Sequence, residues 1–212
     1  GGTYDEVATL TGTRSLRVTG RDAAQTAVVQ ALNTAAGQSV QLDGVSNLTL
    51  GNISHATLAG TLTGSGSVTK QGTGTLTLSS ANTYSGQTTV GQGTLLVNNS
   101  VLSSGTGSGN VVVETGGTLG GTGTISGSVT IAGTGGHLAP GVTVGRLTVD
   151  NDVTLDSHGS FDVDLSGTAA GSEYDQLRVL GADRTVTLAD AALHVSLDGY
   201  TPSGGETFTI ID

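Results

Sequence analysis

The chain contains no cysteine, no methionine and no tryptophan, and aromatic residues make up only 3% of its 212 positions. The missing cysteines exclude a disulfide scaffold, thiol chemistry and thiolate zinc sites. Charged residues amount to 11%, less than half of the usual share of about a quarter. A thick globular core normally uses more aromatic residues, whereas a thin aliphatic core repeated along an axis does not need them.

Basic residues are also scarce, with 7 Lys and Arg against 17 Asp and Glu and a formal net charge of −10. The basic residues form no stripe, so we expect no nucleic-acid partner. No apolar run approaches the roughly 18 residues of a spanning helix, so we expect no direct membrane insertion. The opening residues lack the features of a signal peptide. With the missing initiator Met, they predict a fragment of a longer protein.

Glycine is abundant, at 36 residues, and it recurs in a short unit that ends in leucine. The unit reads GTGTL at Leu76, GQGTL at Leu95, TGGTL at Leu119 and TGGHL at Leu138, with spacings of 19 to 24 residues. Repeats of this length are typical of solenoids.

Short β-like bursts such as TLTL, SVTI and RLTV lie between the glycines. They alternate or run β-branched for three to five residues, bounded by turn residues. We therefore predict an all-β, single-stranded, right-handed parallel β-helix with Val, Leu and Ile inside and glycines at the corners. This fold places the four repeat leucines along one line.

One segment departs from this pattern of short β-like segments bounded by glycine. Residues 21–37, RDAAQTAVVQALNTAAG, contain good helix formers between Asp22 and Gly37, which are suitable cap residues. We predict a short helix over about 23–35, either a cap on the solenoid end or an excursion from one coil. Residues 1–63 are then N-terminal coils with this helix, and 64–212 are β-helix coils of the same continuous domain.

Residues 64–97 resemble the passenger-associated repeat of bacterial autotransporters. The matching positions are Gly64, Gly66, Lys70, Gly72, Gly74, Leu76, Leu78, Asn82, Tyr84, Gly86, Gly93 and Leu95. The resemblance covers about 64–212, whereas residues 1–63 match the family only in general composition. It implies a right-handed β-helix exported through an outer membrane, with a C-terminal translocator barrel in the parent chain as its partner. We expect the present chain to be a fragment without that barrel.

Within this motif we assign structural roles to the two rarest residues. We expect Lys70 to be an exposed residue of one coil, and Tyr84 to pack on a corner with its hydroxyl in water.

Acidic residues are the main candidates for chemistry. Asp162 and Asp164 are candidate Ca²⁺ ligands, or the carboxylate pair of a polysaccharide-degrading β-helix enzyme with Arg146 or Arg178 nearby. The alternative is a solvated face that discourages aggregation. The Gly-rich calcium nonapeptide is absent, and we predict no metal site.

Catalytic and cofactor signals are otherwise missing. His55, His137, His158 and His194 show no ligand spacing. The letters DSHGS at 156–160 lack a G-x-S-x-G context, and no nucleotide-binding glycine loop occurs. We therefore expect no catalytic residue, no cofactor and no enzyme activity.

The expected function is structural and adhesive. The chain would be a stalk of a secreted or surface-displayed passenger, promoting passenger folding during export and binding a host or bacterial glycan or protein. The alternatives are the polysaccharide-degrading enzyme and a subunit of a surface layer or matrix.

Overall fold

The regular structure of this chain consists of short β-strands. A computed structural model describes residues 3–9, 15–19, 26–43, 47–51, 55–100 and 103–212. Over these ranges no helix is formed, and the chain makes 22 strands. They are β1 (Thr3–Thr9), β2 (Ser15–Thr19), β3 (Thr26–Asn33), β4 (Ser39–Asp43), β5 (Asn47–Leu50), β6 (Ala56–Leu58), β7 (Thr61–Gly64), β8 (Ser67–Lys70), β9 (Thr75–Leu78), β10 (Thr88–Val90), β11 (Gly93–Val97), β12 (Val111–Val113), β13 (Gly117–Gly121), β14 (Thr124–Ile125), β15 (Val129–Ile131), β16 (His137–Pro140), β17 (Arg146–Val149), β18 (Val153–Leu155), β19 (Ser160–Asp164), β20 (Gln176–Val179), β21 (Val186–Thr187) and β22 (Ala192–Ser196).

These strands stack in parallel as a β-solenoid, which confirms the predicted all-β architecture. The first sheet has nine strands, in the order β1-β3-β5-β8-β10-β12-β15-β18-β21. The second sheet has seven, in the order β6-β9-β11-β13-β16-β19-β22. Two groups of three strands, β2-β4-β7 and β14-β17-β20, belong to what we call the third face. Nine strands spaced by about 4.8 Å make a stack roughly 40 Å long.

The third face continues between β7 and β14 without regular strands. Segments 82–85 and 104–108 lie there and bond to the coils on either side. The bonds run from Thr83 N to Leu62 O (2.8 Å), from Asn82 N to Ser104 O (2.8 Å), from Ser108 N to Tyr84 O (3.0 Å) and from Gly105 N to Thr124 O (2.8 Å). Each of these coils therefore has three sides.

The core is a set of aliphatic columns along the stack. Leu76, Leu95, Leu119 and Leu138 pair in direct register and are fully buried, as their spacing predicts. Many strands alternate buried and partly exposed positions, as in β9. This alternation places every second side chain inside, because successive residues of a strand point to opposite faces.

The helix predicted over about 23–35 is wrong for its described part. Residues Thr26–Asn33 form β3, which pairs in parallel with both β1 and β5; residues 23–25 lie outside the described ranges. Helix propensity amounts to a few tenths of a kcal/mol per residue. The hydrogen-bond ladders on both sides of β3, with Leu32 fully buried, override this weak preference.

Adjacent leucines in β11 test the stacking directly. Leu95 is fully buried, whereas Leu96 is half-buried on the outer face. Leu95→Ala should lower the free energy of unfolding by about 3 kcal/mol, because it leaves a cavity in the leucine column. The matched Leu96→Ala should cost less than about 1 kcal/mol. Denaturant unfolding of both variants measures the difference, and equal losses would contradict this stacking.

Candidate functional site

Lys70 lies inside the solenoid and not on its surface. It occupies an inward column of the first sheet, and its side chain is fully buried. The members of this column are Leu50, Lys70, Val90, Val113, Ile131 and Leu155. The prediction of an exposed Lys70 is therefore wrong. The general tendency of lysine to be exposed is overridden here by partners that the fold supplies.

Three backbone carbonyls accept hydrogen bonds from the Lys70 ammonium. The distances from Nζ are 2.9 Å to Gln71 O, 2.6 Å to Gly72 O and 3.0 Å to Gln92 O. An ammonium has three donors and no acceptor, so this arrangement satisfies it. Gln71 and Gly72 form the corner between β8 and β9, whereas Gln92 lies in the corresponding corner of the next coil. Lys70 thus connects the corners of two consecutive coils.

Gly93 makes room for this ammonium. It has a φ of +69°, and a Cβ built on it would lie 2.9 Å from Lys70 Nζ and 2.6 Å from Gly74 O. A side chain would strain the backbone and press on the lysine. Lys70 and Gly93 therefore act together, although they are distant in sequence.

Burial lowers the pKa of Lys70 to about 8 from its ordinary value of 10.5. Between these pH values the unfolded chain retains a proton that the folded chain releases. The unfolded state then binds more protons, so the contribution of Lys70 makes the free energy of unfolding rise from about pH 8 to about 10.5.

Tyr84 crosses the interior from the third face to the first sheet. It is fully buried, and its hydroxyl lies 2.5 Å from Thr88 Oγ1. Thr88 occupies an inward column between Val68 and Val111. Burial raises the pKa of Tyr84, and the Thr88 hydrogen bond opposes this effect. The predicted wet hydroxyl is wrong, because a threonine inside the core supplies its partner.

Asn82 bonds the coil before it and the coil after it. Its Oδ1 accepts a hydrogen bond from Leu62 N at 2.7 Å, and its Nδ2 donates to Gly105 O at 2.5 Å. The side chain is buried. It replaces ladder bonds on the third face, where no strand is formed in this coil.

The other residues of the motif build the same coils. Leu76, Leu78 and Leu95 are fully buried in the second sheet. The glycines lie at strand ends or corners: Gly64 ends β7, Gly66 precedes β8, Gly72 and Gly74 lie between β8 and β9, and Gly86 precedes β10.

The candidate carboxylates Asp162 and Asp164 lie on the outer face of β19, half-buried. With Asp175 they line a groove of about 160 Å³ beside the second sheet. Asp175 is buried; its Oδ1 accepts a bond from Gly145 N at 2.7 Å and its Oδ2 one from Asp164 N at 2.9 Å. Burial raises the pKa of Asp175 to about 6, against the opposing effect of these two bonds.

Two of the four histidines meet at Asp162, in a group that we call the histidine–aspartate cluster. His137 Nδ1 lies 2.7 Å from Asp162 Oδ2, and His194 Nδ1 lies 3.0 Å from Asp162 Oδ1. Ser160 Oγ lies 2.7 Å from His137 Nδ1. Parallel register causes this meeting, because Asp162 faces His194 directly and His137 faces Ser160. Sequence spacing gives no hint of it.

The remaining candidates are placed elsewhere. His158 is exposed in a turn, where Asp156 Oδ1 accepts its backbone N–H at 2.9 Å, and His55 is exposed. The arginines of the enzyme hypothesis have other partners. Arg146 Nε donates to Gln176 Oε1 at 2.7 Å, and Arg178 Nε lies 4.0 Å from Asp212 Oδ2.

Part of the chain matches a known protein family. Residues 68–97 match the family model of the passenger-associated-transport-repeat. No curated protein gives a match. The matched repeat and the β-solenoid fit an autotransporter passenger, and they suggest a secreted or surface-exposed protein. No helix in the described ranges is long and apolar enough to cross a membrane.

Replacing the only lysine of the chain tests the role of its ammonium. Lys70→Met keeps an apolar stem but leaves three carbonyls without their donor, so the free energy of unfolding at neutral pH should fall by about 2 kcal/mol. The variant should also lose the stability rise between about pH 8 and 10.5. Denaturant unfolding across this pH range measures both effects.

The matched control is Gln92→Met, which changes an exposed side chain and keeps the backbone carbonyl that Lys70 contacts. It should cost less than about 0.5 kcal/mol. An NMR titration of the single lysine side chain reports its pKa directly. A Lys70 signal that titrates near its ordinary value, or equal stabilities of the two variants, would contradict the buried ammonium.

Proposed function

We propose that this chain is a structural segment of an autotransporter passenger, a rigid stalk that promotes passenger folding during export and presents an adhesive face. The supporting observation is the position of the passenger-associated-transport-repeat match, residues 68–97, within the parallel stack of the first two sheets. In this role the chain catalyses no reaction.

The rigidity of the stalk follows from its hydrogen bonding. Strands inside each sheet have parallel partners on both sides, and the irregular coils are bonded through side chains such as Asn82. Bending such a rod requires several ladders to break together. This stiffness needs no disulfide, in agreement with the absence of cysteine.

The folding role follows from the neighbour-to-neighbour organisation. Each coil contacts the coils beside it, so folding can begin in one place and propagate. Aliphatic columns alone are similar at every coil. The three carbonyls that bind the Lys70 ammonium and the Tyr84–Thr88 hydrogen bond occur only at particular coils, so they favour one register there. We propose that the matched repeat is the folding nucleus.

Refolding kinetics test this nucleus. Leu76 lies in the matched repeat, whereas Leu147 lies in β17 of the third face, and both are fully buried. Leu76→Ala should slow refolding by about tenfold or more, because contacts of a nucleus form in the transition state. Leu147→Ala should mainly accelerate unfolding. Stopped-flow refolding of both variants measures these rates, and a slower refolding of Leu147→Ala alone would refute the nucleus.

The adhesive part of the proposal rests on a threonine column on the outer side of the first sheet. The in-register residues are Thr49, Thr69, Thr89, Val112, Thr130, Thr154 and Thr187. On either side of Val112, hydroxyls repeated at about 4.8 Å can bind an extended glycan through many weak contacts, which add up by multivalency.

A glycan array probed with the whole chain tests adhesion. We expect binding to an extended glycan that weakens progressively in Thr69→Ala, Thr69→Ala/Thr89→Ala and the triple variant with Thr130→Ala. The control is the triple alanine variant of Thr75, Thr94 and Thr118, an in-register column on the second sheet. Absence of glycan binding, or an equal loss in the control, would refute this adhesive face.

A further inference from the structure

The histidine–aspartate cluster combines side chains from three successive strands of the second sheet. His137 lies on β16, Asp162 on β19 and His194 on β22, which are neighbours in that order. Each residue offers one possible ligand atom, a ring nitrogen or a carboxylate oxygen, and these three atoms all lie within 4.8 Å of one another. The side chains are 35%, 30% and 61% exposed, respectively, so the cluster is accessible to a dissolved ion.

The atoms of the cluster are close enough together to converge on one metal ion. Zinc bonds to imidazole nitrogen and carboxylate oxygen are about 2.0–2.2 Å long, so neighbouring ligand atoms of a tetrahedral ion lie roughly 3.3–3.6 Å apart. The two Nδ1–carboxylate distances here, 2.7 and 3.0 Å, are shorter than this separation. Small side-chain rotations would bring the three groups around one ion.

His137 Nδ1 has two close oxygen neighbours. His137 Nδ1 lies 2.7 Å from Asp162 Oδ2 and also 2.7 Å from Ser160 Oγ. This nitrogen carries either one hydrogen or one lone pair. A single hydrogen on this nitrogen is therefore shared between the carboxylate and hydroxyl oxygens, both of which can accept it. A cation at this point would be shared by the imidazole nitrogen, the carboxylate and the hydroxyl oxygen.

The surroundings favour a cation. Asp164 and Asp175 line the same groove as Asp162, and the whole chain has a formal net charge of −10. Two imidazoles with one carboxylate suit Zn²⁺, Cu²⁺ or Ni²⁺, whereas Ca²⁺ takes oxygen ligands. The ligand chemistry thus differs from the pair of aspartates that the sequence suggests.

We propose that His137, Asp162 and His194 form a site for a divalent transition-metal ion of the Zn²⁺ type, with Ser160 beside it. The site deepens the structural role of the solenoid, because β22 is the outermost strand of the second sheet and all of its residues are exposed. A bound ion would hold His194, and with it β22, to the two preceding strands. The open side of the site leaves room for water or a ligand group of a partner.

Isothermal titration of ZnCl₂ into the full chain, freed of affinity tags and pretreated with a chelator, tests this site. We expect one ion per chain, and a loss of about tenfold or more in affinity for His137→Ala, His194→Ala and Asp162→Asn. Binding should weaken on acidification, because protons compete for the imidazole nitrogens. His158→Ala, which removes an exposed histidine outside the cluster, should bind as the parent chain does.

Hydrogen exchange provides a second readout that does not depend on affinity alone. Zn²⁺ should protect the backbone amides of residues 192–196 in the parent chain and in His158→Ala, but not in His194→Ala. Three results would overturn the proposal: no one-to-one binding, undiminished binding in the double variant His137→Ala/His194→Ala, or binding without added protection of β22. Comparable binding of Ca²⁺ would overturn the assigned class of metal. None of these results bears on the refolding test, so this site and the proposed folding role can fail separately.

Discussion

Parallel, in-register pairing of successive coils is the constraint on which the rest of this structure depends. It places each inward residue on the equivalent residue of the next coil, so a thin core of leucine and valine becomes continuous. The column from Leu76 to Leu138 shows the result, with full burial at every coil. Because each coil buries its residues through its neighbours, aromatic bulk is not needed.

The polar residues inside this core have a different effect from the aliphatic columns. Leucine on leucine tolerates a shift by a whole coil, since the next coil offers the same contact. Lys70 needs three carbonyls at one corner, and Tyr84 needs the hydroxyl of Thr88. A buried polar group without its partners costs free energy. These residues therefore destabilise wrong registers.

The same parallel register also aligns side chains on the outer surface, where they form rows along the stack. Threonines align on the first sheet, and on the second sheet Asp162 faces His194 directly. Neither row requires residues to be near in sequence. The ladder is formed by the backbone, so residues on the outer face can differ from coil to coil without loss of the ladder.

The amino-acid sequence by itself determined the parallel solenoid, the leucine line and the repeat motif, because these depend on periodicity and composition. Only the tertiary structure decided the state of particular side chains. Residues Thr26–Asn33 form a strand and not a helix, because ladders on both sides outweigh local propensity. Lys70 and Tyr84 are buried because partners from adjacent coils and opposite faces satisfy them. His137 and His194 meet at Asp162 because the length of each coil sets which residues align, and that length varies too much to be counted from the sequence.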